Sequence, residues 1–213
     1  MTRPVLFDYW RSSASYRVRI ALNLKRIAFD RTPVDLLEGD QKAPDYRARN
    51  PQGFVPLLEI DGESFSQSLA IIDYLDSTRP DPALIPADPA DRAHVLALAL
   101  AVACDIHPVN NLRIITYLKD ELDQPKEARD GWYRHWIAEG LGPLEAMAAP
   151  RAGSFLFGDV PTLADICLVP QLYNARRFAV SLDPYPTLLR AETTATAHPA
   201  FAAAHPHYQE LGS

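Results

Sequence analysis

Three serines sit inside one short run, Arg11-Ser12-Ser13-Ala14-Ser15-Tyr16-Arg17-Val18-Arg19-Ile20-Ala21-Leu22, where an extended segment, Pro4–Tyr9, hands over to a helix. At such a junction the backbone N–H groups of the first turn lack partners and the positive end of the helix dipole favours an anion. Hydroxyl donors added there suit a thiolate. The chain places no cysteine beside these serines, so the sulfur must arrive with a ligand. Tyr16 could also donate to sulfur, but its place inside the helix favours packing.

A second run, Asn50-Pro51-Gln52-Gly53-Phe54-Val55-Pro56-Leu57-Leu58, reads as a turn leading into an edge strand. Pro56 removes one ladder donor, and a cis bond before it would turn the Val55 amide and carbonyl outward, where an extended peptide could pair with them. Gln67-Ser68 then opens a helix, and a hydroxyl with free amides at a helix start suits a carboxylate or phosphate. Ser68 also reads as an ordinary helix cap.

The elements that must position these groups fall into two halves of different texture. Val5-Leu6-Phe7 is a short apolar strand, Val18, Ala21 and Leu22 keep helical spacing, and Phe29–Val34 is extended again. Asp61-Gly62 joins Val55–Ile60 to Ser64–Phe65 as a hairpin turn. Ser68–Tyr74 returns to helix, with Leu69, Ile72 and Leu75 on one side. This βαβ-ββα order predicts an α/β thioredoxin-like N-terminal domain over 1–80. Prolines from Pro80 to Pro89 predict a linker over 81–91, and an all-α C-terminal domain follows over 92–213.

In that second half Val95, Leu98, Ala99, Val102, Ile106 and Val109 predict one long helix with a buried stripe, kinked near His107 because Pro108 deprives the Cys104 carbonyl of its amide partner. Trp132, Trp136 and Leu144 mark another helix. Thr162-Leu163-Ala164-Asp165 predicts a capping box, with the short Asp side chain returning to the Thr162 hydroxyl or amide, and a deeply buried helix after it.

Composition narrows the classes of function. The chain has 213 residues, 47% of them hydrophobic, and a net charge of −6, so it can bury a core and has no basic block for nucleic acid. No apolar run is expected to span a membrane, and the start lacks a secretory signal, which predicts a cytoplasmic protein. Cys104 and Cys167 stand far apart with no metal-ligand spacing, so no metal is expected and both read as buried structural thiols. Arg17 and Arg19 read as solvated or interface charges.

Taken in order, the serine run, Asn50-Pro51, Val55-Pro56, Gln67-Ser68-Leu69-Ala70-Ile71-Ile72, Asp105-Ile106-His107-Pro108 and Leu168-Val169-Pro170-Gln171 resemble the zeta class of glutathione transferases, the family of the maleylacetoacetate isomerases. The resemblance runs from about Pro4 to Phe201. It implies the glutathione transferase architecture, reduced glutathione as cofactor, a small dicarboxylate substrate and a homodimer, with no nucleic-acid or membrane partner. It also implies cis–trans isomerisation of maleylacetoacetate to fumarylacetoacetate in tyrosine and phenylalanine breakdown.

The same resemblance implies roles residue by residue. Ser12 falls on the serine that hydrogen-bonds the glutathione sulfur, with Ser13 beside it; Ala14, Ser15, Tyr16 and Arg17 complete the matching stretch. Gln41 falls near the glycyl end, Val55 and Pro56 on the cysteinyl unit, and Gln67 with Ser68 on the γ-glutamyl carboxylate. His107 falls above the sulfur, and Asn111 and Arg113 follow a turn later. Arg177 falls on an arginine that faces the substrate, although the helix face leaves Arg176 open; Arg11 and Arg113 join it as candidates to hold substrate carboxylates, for which a guanidinium fork is apt.

The implied chemistry is reversible addition of the thiolate to a conjugated double bond, rotation of the enol or enolate, and elimination. The arginines could stabilise charge on the enolate, and His107 could orient substrate or move a proton. Two departures stand out. Zeta proteins usually carry Cys and Trp where this chain has Ala14 and Tyr16, which removes a reactive thiol but not the pocket. Leu112-Arg113 replaces the two successive arginines of maleylpyruvate isomerases, which points to the longer substrate. A general glutathione transferase or dehalogenase, and a non-catalytic interaction protein on the same scaffold, are the competing readings.

Overall fold

The computed structural model describes residues 3–210. The chain forms two compact units: residues up to Leu84 together with those from Ala197 onward make one, and Ile85–Thr196 the other.

The first unit is a four-stranded mixed sheet with helices. Strands β1 (Val5–Asp8), β2 (Asp30–Pro33), β3 (Leu57–Ile60) and β4 (Glu63–Ser66) lie in the order β2-β1-β3-β4. β1 runs parallel to β2 and antiparallel to β3, and β3 pairs antiparallel with β4. The parallel pair needs a crossover, and helix α1 (Ser13–Leu24) supplies it. Asp61 and Gly62, both at positive φ (55° and 84°), close the β3–β4 hairpin, as the Asp-Gly pair demands.

Strand alternation sorts β1 onto two faces. Leu6 faces inward opposite Leu58, both fully buried, and packs in a core that holds Val18, Ile20, Leu22, Ile71, Ile72 and Leu75. Phe7 belongs to the other face, where Tyr9, Val34, Tyr46 and Val55 cluster beneath the short helix α2 (Pro44–Arg49). Helix α3 (Ser68–Thr78) buries Ile71, Ile72 and Leu75; Leu69 is only half buried.

Helix α1 is buried almost all round, because α3 and the short helix α9 (Pro199–Ala203) both pack on it. Arg17 and Arg19, expected as solvated or interface charges, are instead both buried within the fold. Arg19 donates to Asp8 Oδ2 at 2.6 Å, to the Trp10 carbonyl at 2.9 Å and to the Ala204 carbonyl at 3.2 Å. Asp8 also accepts from Arg31, whose Nη1 reaches the Gln209 carbonyl. Burial pushes the Arg19 pKa down, and the Asp8 charge partly offsets that. Lys25, at the far end of α1, donates to Asp76 and to the Arg79 and Pro82 carbonyls. These bonds pin both ends of α1.

The second unit is helical. Helix α4 (Pro89–Leu100) starts on Asp88, which accepts from the Ala90 and Asp91 amides. Instead of one kinked helix through Val109, the chain widens into a π turn (Ala101–Ile106), then a 3-10 turn (Pro108–Asn110), then helix α5 (Leu112–Asp120). The His107 amide bonds the Val102 carbonyl, five residues back. Pro108 has no N–H to offer Cys104, and the wider turn accommodates its ring. Gly140, on helix α6 (Lys126–Ala148), lies so close to this turn that a Cβ would stand 2.2 Å from Ile106 Cγ1.

Pro89–Asp120 is long and apolar enough to span a membrane by length and composition, which the sequence reading did not expect; in the structure it is this interrupted run, and its stripe Val95, Leu98, Ala99, Val102 and Ile106 is buried. Cys104 is exposed and Cys167 buried, so only one of the two thiols packs as expected. Cys104 lies two residues past Val102, on the side of the turn away from the buried stripe.

Helix α7 (Leu163–Arg177) begins on the capping box. Thr162 Oγ1 accepts from Ala164 N, and Asp165 Oδ2 accepts from both the amide and the hydroxyl of Thr162. Asp165 Oδ1 takes a further bond from the Leu156 amide. Burial outweighs these donors and pushes the Asp165 pKa up to about 6. Glu145 of α6 accepts from the Thr187 and Leu188 amides at the start of helix α8 (Pro186–Ala197).

Candidate active site

In the first unit, the site begins at the β1–α1 junction. Ser12 is the N-cap of α1: its backbone is extended and its Oγ accepts from Ser15 N at 3.2 Å. The hydroxyl proton remains to be donated. Ser13 and Ala14 are half buried beside it, and Arg11 stacks over Trp10, with its guanidinium carbon 5.2 Å from the ring centroid. Arg19 holds the Trp10 carbonyl two residues before the cap, so the junction is braced from inside the fold.

Ser15 and Tyr16, part of the matching stretch, turn inward. Both are fully buried, and Tyr16 packs edge-on to His205. The flanking helices cover that side of α1, and Ser15 Oγ is buried there without a described hydrogen-bond partner. Arg17 is buried too, and its Nη1 approaches Ser68 Oγ at 3.4 Å.

The remaining groups of this unit form a continuous edge. Gln41 lies in a 3-10 turn (Asp40–Lys42), buried, with its Oε1 unpartnered. Gly53 packs against that turn: at φ +63° a Cβ would fall 2.8 Å from the Gln41 carbonyl. Its neighbour Gln52 accepts from Gln67 Nε2 at 2.8 Å. Asn50 and Tyr46 both donate to the Phe54 carbonyl, closing the loop just before the cis Val55–Pro56 bond. Burial pushes the Tyr46 pKa up to about 12, so its hydroxyl stays a donor.

Gln67, not Ser68, is the N-cap of α3, and its side chain makes no capping bond. It sits at φ 67° and ψ 113°, a conformation that costs a non-glycine residue about 1–3 kcal/mol and is tolerated at ligand clamps. The first amides of α3 are left for another acceptor.

In the second unit, His107 stands half buried between the π and 3-10 turns. Asn111 caps α5 by accepting from Arg113 N at 3.3 Å, and Leu112 and Arg113 are exposed on the first turn. At the end of α7 the two arginines separate. Arg176 makes a two-pronged ion pair with Glu192, both contacts at 2.5 Å, which raises its pKa and occupies the fork a substrate carboxylate would need. Arg177 bonds Asn174 at 3.3 Å and lies over the Phe178 ring. Among the described residues no cluster of His, Cys, Asp or Glu could hold a metal.

Gln52 and Gly53 lie inside the Asn50-Pro51-Gln52-Gly53 turn and carry no motif of their own. A glycine beside an amide-bearing residue in a turn was the available signal. The buried Asp8–Arg19–Arg31 cluster had no local signal at all.

The family model described as glutathione S-transferase, N-terminal domain, matches residues 6–83, and the one described as glutathione S-transferase, C-terminal domain, matches 126–209. The chain belongs to the glutathione S-transferase family. Within that family the likeness is to the zeta class. The chain is 52% identical over 203 residues to a maleylacetoacetate isomerase of Rhizobium meliloti, covering 95% of each chain. It superposes with a TM-score of 0.94 on the holo structure of a bacterial zeta-class maleylpyruvate isomerase, at 42% identity over 96% of this chain and 98% of that one. It also resembles a maleylacetoacetate isomerase from Anaeromyxobacter dehalogenans, solved with dicarboxyethyl glutathione and citrate in the active site; the TM-score is 0.87, at 43% identity over 97% of this chain and 96% of that one.

Proposed function

We propose that this chain is a glutathione-dependent cis–trans isomerase that converts maleylacetoacetate to fumarylacetoacetate. The near-full-length identity to a maleylacetoacetate isomerase carries the reading. The first unit fits glutathione on its own terms: a free hydroxyl at a helix start, a polar edge from Gln41 to Gln67, and a buried arginine with unpartnered nitrogens behind Ser68. A relative that holds a glutathione bearing a dicarboxyethyl group supports a dicarboxylate substrate.

When bound, glutathione supplies a thiol nucleophile that adds reversibly to a conjugated double bond. Ser12 donates its hydroxyl proton toward that thiol, and the α1 dipole adds to the stabilisation of its anion. Val55 presents backbone to the peptide, and Gln67 with Ser68 and the first amides of α3 receive the γ-glutamyl carboxylate. Gln41 orients the glycyl end. Arg11, Arg113 and Arg177 hold substrate carboxylates; Arg176, paired with Glu192, acts structurally instead. By the family match, His107 orients the substrate or moves a proton, and Asn111 belongs with the glutathione-binding residues. The chain works as a homodimer in the cytoplasm, as its family does by resemblance.

A second reading, maleylpyruvate isomerase, is favoured by the superposition on that enzyme. Leu112 argues against it, because one cation is missing from the turn that carries Arg113. Purified protein with glutathione, offered maleylacetoacetate and maleylpyruvate side by side, decides between them. Faster turnover of maleylacetoacetate is expected, and equal rates would remove the argument from Leu112.

A further inference from the structure

Arg17 is 2% exposed, its Nε and Nη2 meet no partner, and its only described hydrogen bond is the long contact from Nη1 to Ser68 Oγ. Among the described residues no carboxylate pairs with it. A buried guanidinium without a counter-charge costs several kcal/mol, so a fold keeps one where an anion repays it or where replacing it would cost function. The direction in which this cation points is toward Ser68, the first residue of an 11-residue helix whose N-cap side chain makes no capping bond.

The bonding at Ser68 has a consequence for its proton. A hydroxyl has one donor, and an oxygen that accepts from Arg17 turns that proton away from the guanidinium. The hydroxyl then donates outward, beside the unpaired amides of α3, and the positive ends of helix and side chain add. All three features favour one carboxylate at this spot.

We propose that Arg17 is the buried counter-charge that holds, through Ser68, the α-carboxylate of the γ-glutamyl unit of glutathione. It is a positioning residue, since its own nitrogens are out of reach of a ligand. It makes the site selective for a γ-acyl group that carries the α-carboxylate over one that lacks it. This rests on the reading that glutathione binds here.

The test is calorimetry on the full chain, wild type, R17M and R17K, with two ligands: glutathione, and 4-aminobutyryl-cysteinylglycine, which lacks only that carboxylate. R17M should weaken glutathione on the order of tenfold, the worth of one charge-assisted hydrogen bond, and leave the analogue's affinity unchanged. R17K should recover most of the loss. In turnover, R17M should raise KM for glutathione with kcat nearly constant. Equal losses for both ligands, or no loss for either, would overturn the proposal while leaving glutathione binding intact. Wild type that takes up no glutathione would instead remove the functional reading itself and this inference with it. Should R17M fail to fold, a crystal structure of the wild-type glutathione complex decides: the carboxylate on Ser68 in front of Arg17 supports the assignment, and the carboxylate elsewhere overturns it.

Discussion

Arg17 and Arg19 stand two residues apart on the same buried helix and do opposite things. Arg19 spends its guanidinium on the Asp8 carboxylate and on two backbone carbonyls, one of them 185 residues away. Arg17 has one long contact to a serine and two nitrogens with none. The first is satisfied by the fold alone; the second reaches only Ser68, and on the proposal above its charge is balanced through that serine when an anion sits on it. In one turn of helix the chain thus separates a structural cation from a functional one, and the separation is readable from partners rather than from residue type.

The sharpest way to break this contrast is to remove both charges in turn and measure stability. R19M should strand the buried Asp8 carboxylate with only Arg31 and release the Ala204 carbonyl, costing about 3–5 kcal/mol, seen as a large drop in melting temperature. R17M strands nothing, so its melting temperature without ligand should equal or exceed that of wild type. A similar drop in both would mean that Arg17 is structural after all. A smaller effect is expected at the rim. Gln52→Ala removes the acceptor that orients Gln67, an exposed pair, and should weaken glutathione by about 0.5–1 kcal/mol with no change in melting temperature. Titration by calorimetry checks it, and a tenfold loss would mean that Gln52 contacts the ligand itself.

Much of the fold, and the start of the site, is legible in the sequence. Ser12 at a strand-to-helix junction, Asp61-Gly62 in a hairpin and Thr162 with Asp165 at a helix start are local patterns, and each reports a backbone requirement met within a few residues. The buried charges were not legible. Arg17 and Arg19 look like ordinary helix-surface cations until α3 and the segment carrying Ala204 close over them, and a contact across 185 residues leaves no trace in local spacing. The sequence predicts only a kink before His107, where the structure has a π turn, since Pro108 reports that a bond is missing without saying how the backbone accommodates the loss. The choice between Arg176 and Arg177 needed Glu192, which lies on another helix.

On the proposed function, Ser12 at the head of α1 holds the glutathione thiol as its anion. Titrating the thiolate absorbance of glutathione bound to wild type and to S12A tests it most directly. Bound to wild type, the thiol should ionise well below the ordinary thiol value of about 8.5, and S12A should raise it by about one unit with turnover falling roughly tenfold or more. A bound thiol that titrates like free glutathione in wild type, or identically in the two proteins, would contradict the account.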